Sequence, residues 1–294
     1  MVAAALRQKL AAEFPAYVWL ADNPEIGPLL ERAVNENWDI TTLQGNLYAT
    51  SWWKRTSQTA RTWQTTVATD PAEARRQREM RRVEVVNEVR RLGGRLNTNE
   101  INWVIENSLG QGASREQITS AILQIIRHTR RGISDAGDIR RFTQEVQQLS
   151  REYAFRIAPS QQLDMAYRLA GGSMTLDDVQ AQMIERAKDK YAKNTGIVRG
   201  LERGMTVWDV MQPVLTTVSD ELGISADSFD LTAGWGAQLT NWKDSETGEF
   251  RMANETEAIQ WARSQRQWRD TGNARSLATQ AAQAITEKFG ARKG

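Results

Sequence analysis

The chain has 294 residues, no cysteine, one histidine, and 38 basic against 36 acidic side chains, for a net charge of +2. Without cysteine there is neither a disulfide framework nor a thiolate zinc site. With 40% hydrophobic residues the chain is not a disordered polymer. No apolar run approaches the length of a membrane span. The stretch Met1-Val2-Ala3-Ala4-Ala5-Leu6-Arg7 has no long apolar core behind a charged lead, so a secretory signal is not expected.

Residues 3–36 read as short helices interrupted at Pro15, Pro24 and Pro28. A helix capped by Asp39 follows, with Leu43 and Leu47 on one face. A turn near Thr50 leads into a helix carrying Trp52, Trp53 and Trp63. Asp70-Pro71 is a strong start signal, a capping side chain followed by proline where its missing N–H costs nothing. That helix runs to Leu92 and stops at Gly93-Gly94. Met80, Val83, Val86, Val89 and Leu92 are its expected buried side. Its polar face interleaves Arg75, Arg76, Arg78, Arg81, Arg82, Arg90 and Arg91 with five acids. Such mixing suits a solvated face with i,i+4 pairs better than a nucleic-acid stripe.

The stretch 97–131 predicts a helix hairpin turning at Gly110-Gln111-Gly112, and 135–157 another long helix. Ala158-Pro159-Ser160 opens a second region of hairpins, with turns at Gly171-Gly172 and Gly204. Beyond Ser225, a cap for a short helix stapled by Ile224 and Phe229, the pattern weakens. The stretch 231–252 reads as loop, anchored by Trp235 and Trp242, although a turn at Thr247-Gly248 would allow a small hairpin. The last helix is clear: Ala274, Leu277, Ala278, Ala281, Ala282, Ile285 and Phe289 lie on one stripe, and Gly290 ends it. That stripe is expected to dock, because an isolated helix of this length is marginal in water.

One local design recurs five times, at Asp39, Asn97, Ser114, Thr175 and Thr206. Each offers a side-chain oxygen to a free N–H of the first helical turn. Four of the five are followed three residues later by Glu, Gln or Asp (Glu100, Gln117, Asp178, Asp209), which closes or approximates a capping box. Apolar residues flank each cap at staple spacing. The expected fold is therefore all-α: capped helix hairpins in two irregular helical regions, 1–157 and 158–294.

Eleven Trp against six Phe and five Tyr is an unusual ratio. Most are expected to anchor helices to one another. The adjacent pair Trp52-Trp53 is a candidate surface for a protein partner. Phe289 joins them as a candidate interface residue if the last helix docks on a partner. His128 sits among Arg127, Arg130 and Arg131; it reads as a solvated helix-end residue, with a binding role as the alternative. Asp177-Asp178 reads as first-turn charge complementing the helix dipole, with Mg²⁺ binding as the alternative. No P-loop, dinucleotide glycine motif, HExxH, EF-hand loop or nucleophile elbow is present. No catalytic residue, cofactor or metal site is expected.

The order of several short motifs resembles a family of helical virion-associated proteins encoded in the structural gene regions of phages of actinobacteria. In the C-terminal half these are Gly204-Met205-Thr206-Val207-Trp208-Asp209-Val210 with Pro213, and the run Leu222 through Leu231. Then come Trp235, Asp244-Ser245-Glu246-Thr247-Gly248, Arg251-Met252, Glu257, Trp261, Trp268, Thr271, Asn273-Ala274 and Phe289-Gly290. Nearer the start, Pro24 through Leu30, Trp38, Leu43, Leu47, Thr50, Trp52-Trp53 and Thr69-Asp70-Pro71-Ala72 look like the family's opening. The chain departs from the pattern at 190–194, which lacks a proline, and at Met211-Gln212-Pro213-Val214, which lacks an aromatic after Pro213.

The resemblance implies a non-enzymatic structural protein of a phage particle, tail-associated or internal. It would be made in the host cytoplasm, found in the virion and present in several copies among other virion proteins. Passage into the host with the DNA stays open. One alternative is a DNA-binding or packaging-associated protein using the arginine faces at 75–95 and 127–141, although the interleaved acids predict weak DNA binding. The other is a cell-wall hydrolase, which would need a buried acid in a cleft.

Overall fold

The computed structural model describes residues 4–129 and 133–290, with side chains placed for 7–129 and 133–287. The fold is all-α. Among the described residues the only strand-like feature is a single antiparallel bridge between Lys243 and Phe250, and no helix is long and apolar enough to cross a membrane. The chain divides into two compact units, Met1–Asp138 and Ile139–Gly294.

The first unit holds α1 (Ala4–Glu13), a 3₁₀ segment Pro15–Leu20, α2 (Gly27–Asn35), α3 (Ile40–Ala49), α4 (Ser51–Arg55), α5 (Gln58–Thr69), α6 (Pro71–Leu92), α7 (Thr98–Gln111) and α8 (Arg115–Thr129). Pro28 starts α2 instead of interrupting a helix, as suits a residue with no N–H to donate. Leu10, Leu20, Ile26, Leu30, Leu43 and Leu47 form a core under Trp38, Trp52 and Trp53.

The buried stripe of α6 differs from the expected one. Ala74, Val85, Glu88 and Leu92 are buried, whereas Met80 and Val83 are 63% and 54% exposed. The helix packs against α5, α7 and α8, and its contact line runs through Glu88 because Arg91, Arg115 and Thr119 satisfy that carboxylate. Gly93 ends α6 in the left-handed region at φ +77, with its N–H and that of Gly94 both donated to the Val89 carbonyl, at 3.0 and 3.1 Å.

The second unit holds α9 (Asp138–Glu152, entered from Ile139), α10 (Pro159–Ala170), α11 (Leu176–Lys190), α12 (Thr195–Glu202), α13 (Val207–Leu222), a 3₁₀ turn Ala226–Ser228, α14 (Gly234–Thr240), α15 (Glu255–Ser264), a 3₁₀ segment Arg266–Asp270 and α16 (Gly272–Gly290). The division falls before α9, not at the 157/158 boundary expected from the sequence. The reason is packing: Val146, Tyr153, Ala154 and Ile157 lie in one buried cluster with Met165, Met183, Leu215 and Leu239. The expected 135–157 helix stops at Glu152. Ala154 then turns at φ +54, and its carbonyl accepts from the Tyr191 hydroxyl at 2.9 Å and from the Lys190 ammonium. Helix α13 is the centre of this unit, burying Val207, Val210, Met211, Val214, Leu215, Val218 and Leu222.

The 231–252 stretch read as loop contains α14 and a turn closed by the Lys243–Phe250 bridge. Gly236, inside the stretch read as loop, sits in this helix against the preceding loop: a Cβ there would lie 2.3 Å from the Asp230 carbonyl oxygen. Helix α15 was not anticipated, although Asn254 and Glu257 form a capping box at its start.

All five recurring cap residues do cap helices. Asp39 accepts from Thr42 N at 2.6 Å. Asn97, Thr175 and Thr206 form reciprocal capping boxes. Ser114 exchanges bonds with Gln117, a short one from its own N–H at 2.8 Å and a long one to its hydroxyl at 3.4 Å. Thr206→Ala is therefore expected to cost about 1 kcal/mol and Ser114→Ala nearer 0.5 kcal/mol, measured as shifts of the urea midpoint. Unchanged midpoints in both would show that the caps contribute nothing.

Candidate interaction surfaces

Trp52 and Trp53 lie on α4, a single helical turn held at both sides. Thr50 caps it, accepting from Trp53 N at 3.2 Å. From α2's side, Glu25 accepts from Ser51 N at 2.6 Å, Ser51 Oγ at 2.9 Å and Trp52 N at 2.9 Å. Partial desolvation pushes the Glu25 carboxyl up, but these bonds and the Arg55 charge outweigh it and hold the group below its ordinary range.

The two indoles then diverge. Trp52 meets Trp19 edge-on with ring centres 6.1 Å apart. Trp53 meets Tyr48 at 4.9 Å and lies under the Arg61 guanidinium at 4.2 Å. Both are half-buried against the core. Trp53, with Tyr17, Trp19, Tyr48 and Arg61, lines a groove of about 500 Å³; Trp52 does not. So the sequence pair is one internal anchor and one groove residue, not a flat two-indole patch.

Of the two ways the last helix could dock, packing along its length on its own unit is not the one seen. Ala274 is buried at its start, where Asn273 Nδ2 donates to the Asp220 carbonyl at 2.6 Å. From Arg275 to Glu287 every side chain is exposed, Leu277 at 41% and Ile285 at 59%. The stripe exists, but its own unit leaves it uncovered. The third candidate interface residue, Phe289, is on this helix, and its side chain lies outside the described ones.

The arginine face of α6 is largely neutralised in place. Arg76 pairs with Glu73, Arg78 with Glu106, Arg81 with Glu84, Arg82 with Glu79, and Arg91 with Glu88 and Asp138. Most of these pairs are spaced i,i+3, the other contact distance on a helix surface. His128 is exposed in the last turn of α8; Arg130 and Arg131 lie outside the described residues. Asp178 accepts from both the N–H and hydroxyl of Thr175, each at 2.8 Å, so the Asp177-Asp178 pair is part of a cap. Among the described residues no group of three His, Asp or Glu converges as a metal site.

In the second unit the motif residues quoted above form a connected frame. Arg251 donates to Asp244 at 2.7 Å and to both oxygens of Glu257 at 2.6 and 2.7 Å. This ties the 244–251 turn to the start of α15. Trp235 packs edge-on against Trp261 at 5.9 Å. Glu221 on α13 accepts from Trp268 Nε1 at 3.0 Å and from Arg263 at 3.0 Å. The hydrogen bond from Arg263 lowers the Glu221 pKa, and that from Arg251 lowers Glu257. The N–H of Thr247 and the Arg251 guanidinium lower Asp244, and the Thr232 hydroxyl lowers Asp230. These carboxyls are held in the charged form, the opposite of what a general acid at neutral pH requires. The sequence signal that could have found this frame is the Asn254-x-x-Glu257 box, the same pattern as the five caps.

Against known proteins, no family model matches the chain, and no curated protein and no solved structure matches it. The family resemblance rests on the residues quoted for it.

Proposed function

We propose that this chain is a non-enzymatic structural protein of a phage particle, tail-associated or internal, that assembles with other virion proteins in several copies. The observation that carries the reading is α16: a long helix with an apolar stripe that its own unit leaves in water. An isolated helix gains little from such a stripe, whereas a partner covering it gains the burial. The motif residues support the same reading, since Arg251, Glu257, Trp235, Trp261, Glu221 and Trp268 tie α13, α14 and α15 to one another. The paired arginines of α6 weigh against the DNA-binding alternative.

The direct experiment is mass spectrometry of nuclease-treated, purified particles of the encoding phage. The chain is expected there at a fixed copy number; its absence would overturn the reading. Leu277→Asp combined with Ile285→Asp is expected to abolish incorporation while leaving the melting temperature of the free protein unchanged. Duplex DNA affinity is expected in the non-specific range, about 10⁻⁴–10⁻⁶ M at physiological salt. Nanomolar binding that survives about 200 mM salt would favour the packaging alternative.

A further inference from the structure

The second unit contains a cleft of about 650 Å³ between the end of α9, the 153–158 turn, the 227–232 loop and Trp208 of α13. Its size falls within the range of small-molecule sites, and nothing in the assembly role uses it. We propose that this cleft binds a short neutral oligosaccharide.

Three features argue for that class. The first is the apolar surface: Trp208 and Phe155 are half-buried against the core and line the cleft, offering rigid aromatic surface to the C–H groups of a sugar ring. The second is a set of planar polar groups that can donate to and accept from hydroxyls. Gln148 donates to Glu152 at 2.8 Å and Gln162 to the Ile157 carbonyl at 3.0 Å. Each amide is thereby oriented with its carbonyl oxygen left as an acceptor. Arg151 is exposed at the rim with five N–H donors. The third is charge: Glu152, Asp227 and Asp230 against Arg151 and Arg156. One excess negative charge gives no attraction for phosphate or nucleic acid.

Side-chain bonds already link the walls to one another. Arg156 spans from its turn to the opposite loop, reaching Thr232 Oγ1 at 3.0 Å and Asp230 at 3.1 Å. Ser150 Oγ donates to the Phe155 carbonyl at 2.6 Å. A peptide strand would need free backbone groups to pair with, but the N–H groups of Ser228, Phe229 and Thr232 are already bonded inside the loop.

The test is saturation-transfer NMR and calorimetry on the full chain with glucose-, galactose- and N-acetylglucosamine-based trisaccharides. Inorganic phosphate and tetra-alanine serve as competing probes. Saturable binding of at least one trisaccharide is expected, with transfer from aromatic protons. Gln148→Ala and Arg151→Ala, both at exposed positions, are expected to weaken it by about tenfold each with an unchanged melting temperature. Trp208→Ala should abolish it, with Gln148→Ala as the control should Trp208→Ala fail to fold. The proposal is overturned if no trisaccharide binds at about 10 mM. It also fails if binding is indifferent to Gln148→Ala and Arg151→Ala, or if phosphate or the peptide binds more tightly.

Discussion

Glu88→Ala is expected to destabilise the N-terminal unit by about 3 kcal/mol, one of the largest losses available to a single polar side chain in this protein. Glu88 is 5% exposed. Burial alone would push its pKa up. Hydrogen bonds from Arg91 and Thr119, the Arg91 charge and Arg115 outweigh that and bring it to about 2, from 4.5. A shift of that size corresponds to roughly 3 kcal/mol between its protonation states. Its removal leaves the buried Thr119 hydroxyl without its acceptor, although Arg91 and Arg115 are 37% and 75% exposed and can turn to water. That access keeps the loss at the lower end of the range for a broken buried pair.

The pH dependence has a definite sign. The folded pKa lies below the unfolded one, so the contribution is complete above about pH 4.5 and is lost as pH falls toward 2. Urea unfolding of the parent and Glu88→Ala should differ most at neutral pH and converge near pH 2. A difference that is constant with pH, or a variant as stable as the parent at neutral pH, would show that Glu88 is not held as a charged core residue.

Leu215→Ala and Leu277→Ala form a matched pair with opposite expectations. Leu215 is fully buried at the centre of α13, so its truncation removes buried methyl groups and leaves a cavity, costing about 2–5 kcal/mol. Leu277 is 41% exposed on α16, so the same truncation should stay within about 0.5 kcal/mol. Thermal or urea unfolding of the two variants decides. A large loss for Leu277→Ala in the free protein would mean that α16 packs on its own unit after all. A small loss for Leu215→Ala would remove α13 from the centre of the core.

Local rules reached far in this chain. Asp39, Asn97, Thr175 and Thr206 were readable as caps because a cap needs only one residue and the backbone of the next turn. The hairpin turns at Gly93, Gly112 and Gly204 were readable for a related reason: each has a positive φ that side chains disfavour. The all-α class followed from these signals alone. Helix α15 had a local signal, the Asn254-x-x-Glu257 box, whereas the other differences arose where packing between segments decides the outcome. Gly236 has the composition of a turn but serves a close approach to Asp230, which no local pattern encodes. Residues 138–157 look like the end of the first half until Tyr153 and Ile157 meet the core built by α10–α15. Met80 and Val83 make a plausible apolar face, yet the contact line of α6 passes through a glutamate, because Arg115 and Thr119 arrive from α8 to satisfy it.

The candidate surfaces divide in the same way. That Trp52, Trp53 and the α16 stripe are large apolar groups is a property of the residues. Which of them stays in contact with water is a property of the packing: Trp52 is taken up by Trp19, Trp53 borders a groove, and α16 is left uncovered after Ala274. The sequence by itself determined the all-α class and the capped starts at Asp39, Asn97, Ser114, Thr175 and Thr206, because a cap is made within one turn of backbone. Only the tertiary structure decided which faces are buried, where the two units divide and which polar groups carry charge into the core, because each depends on side chains brought together from separate helices.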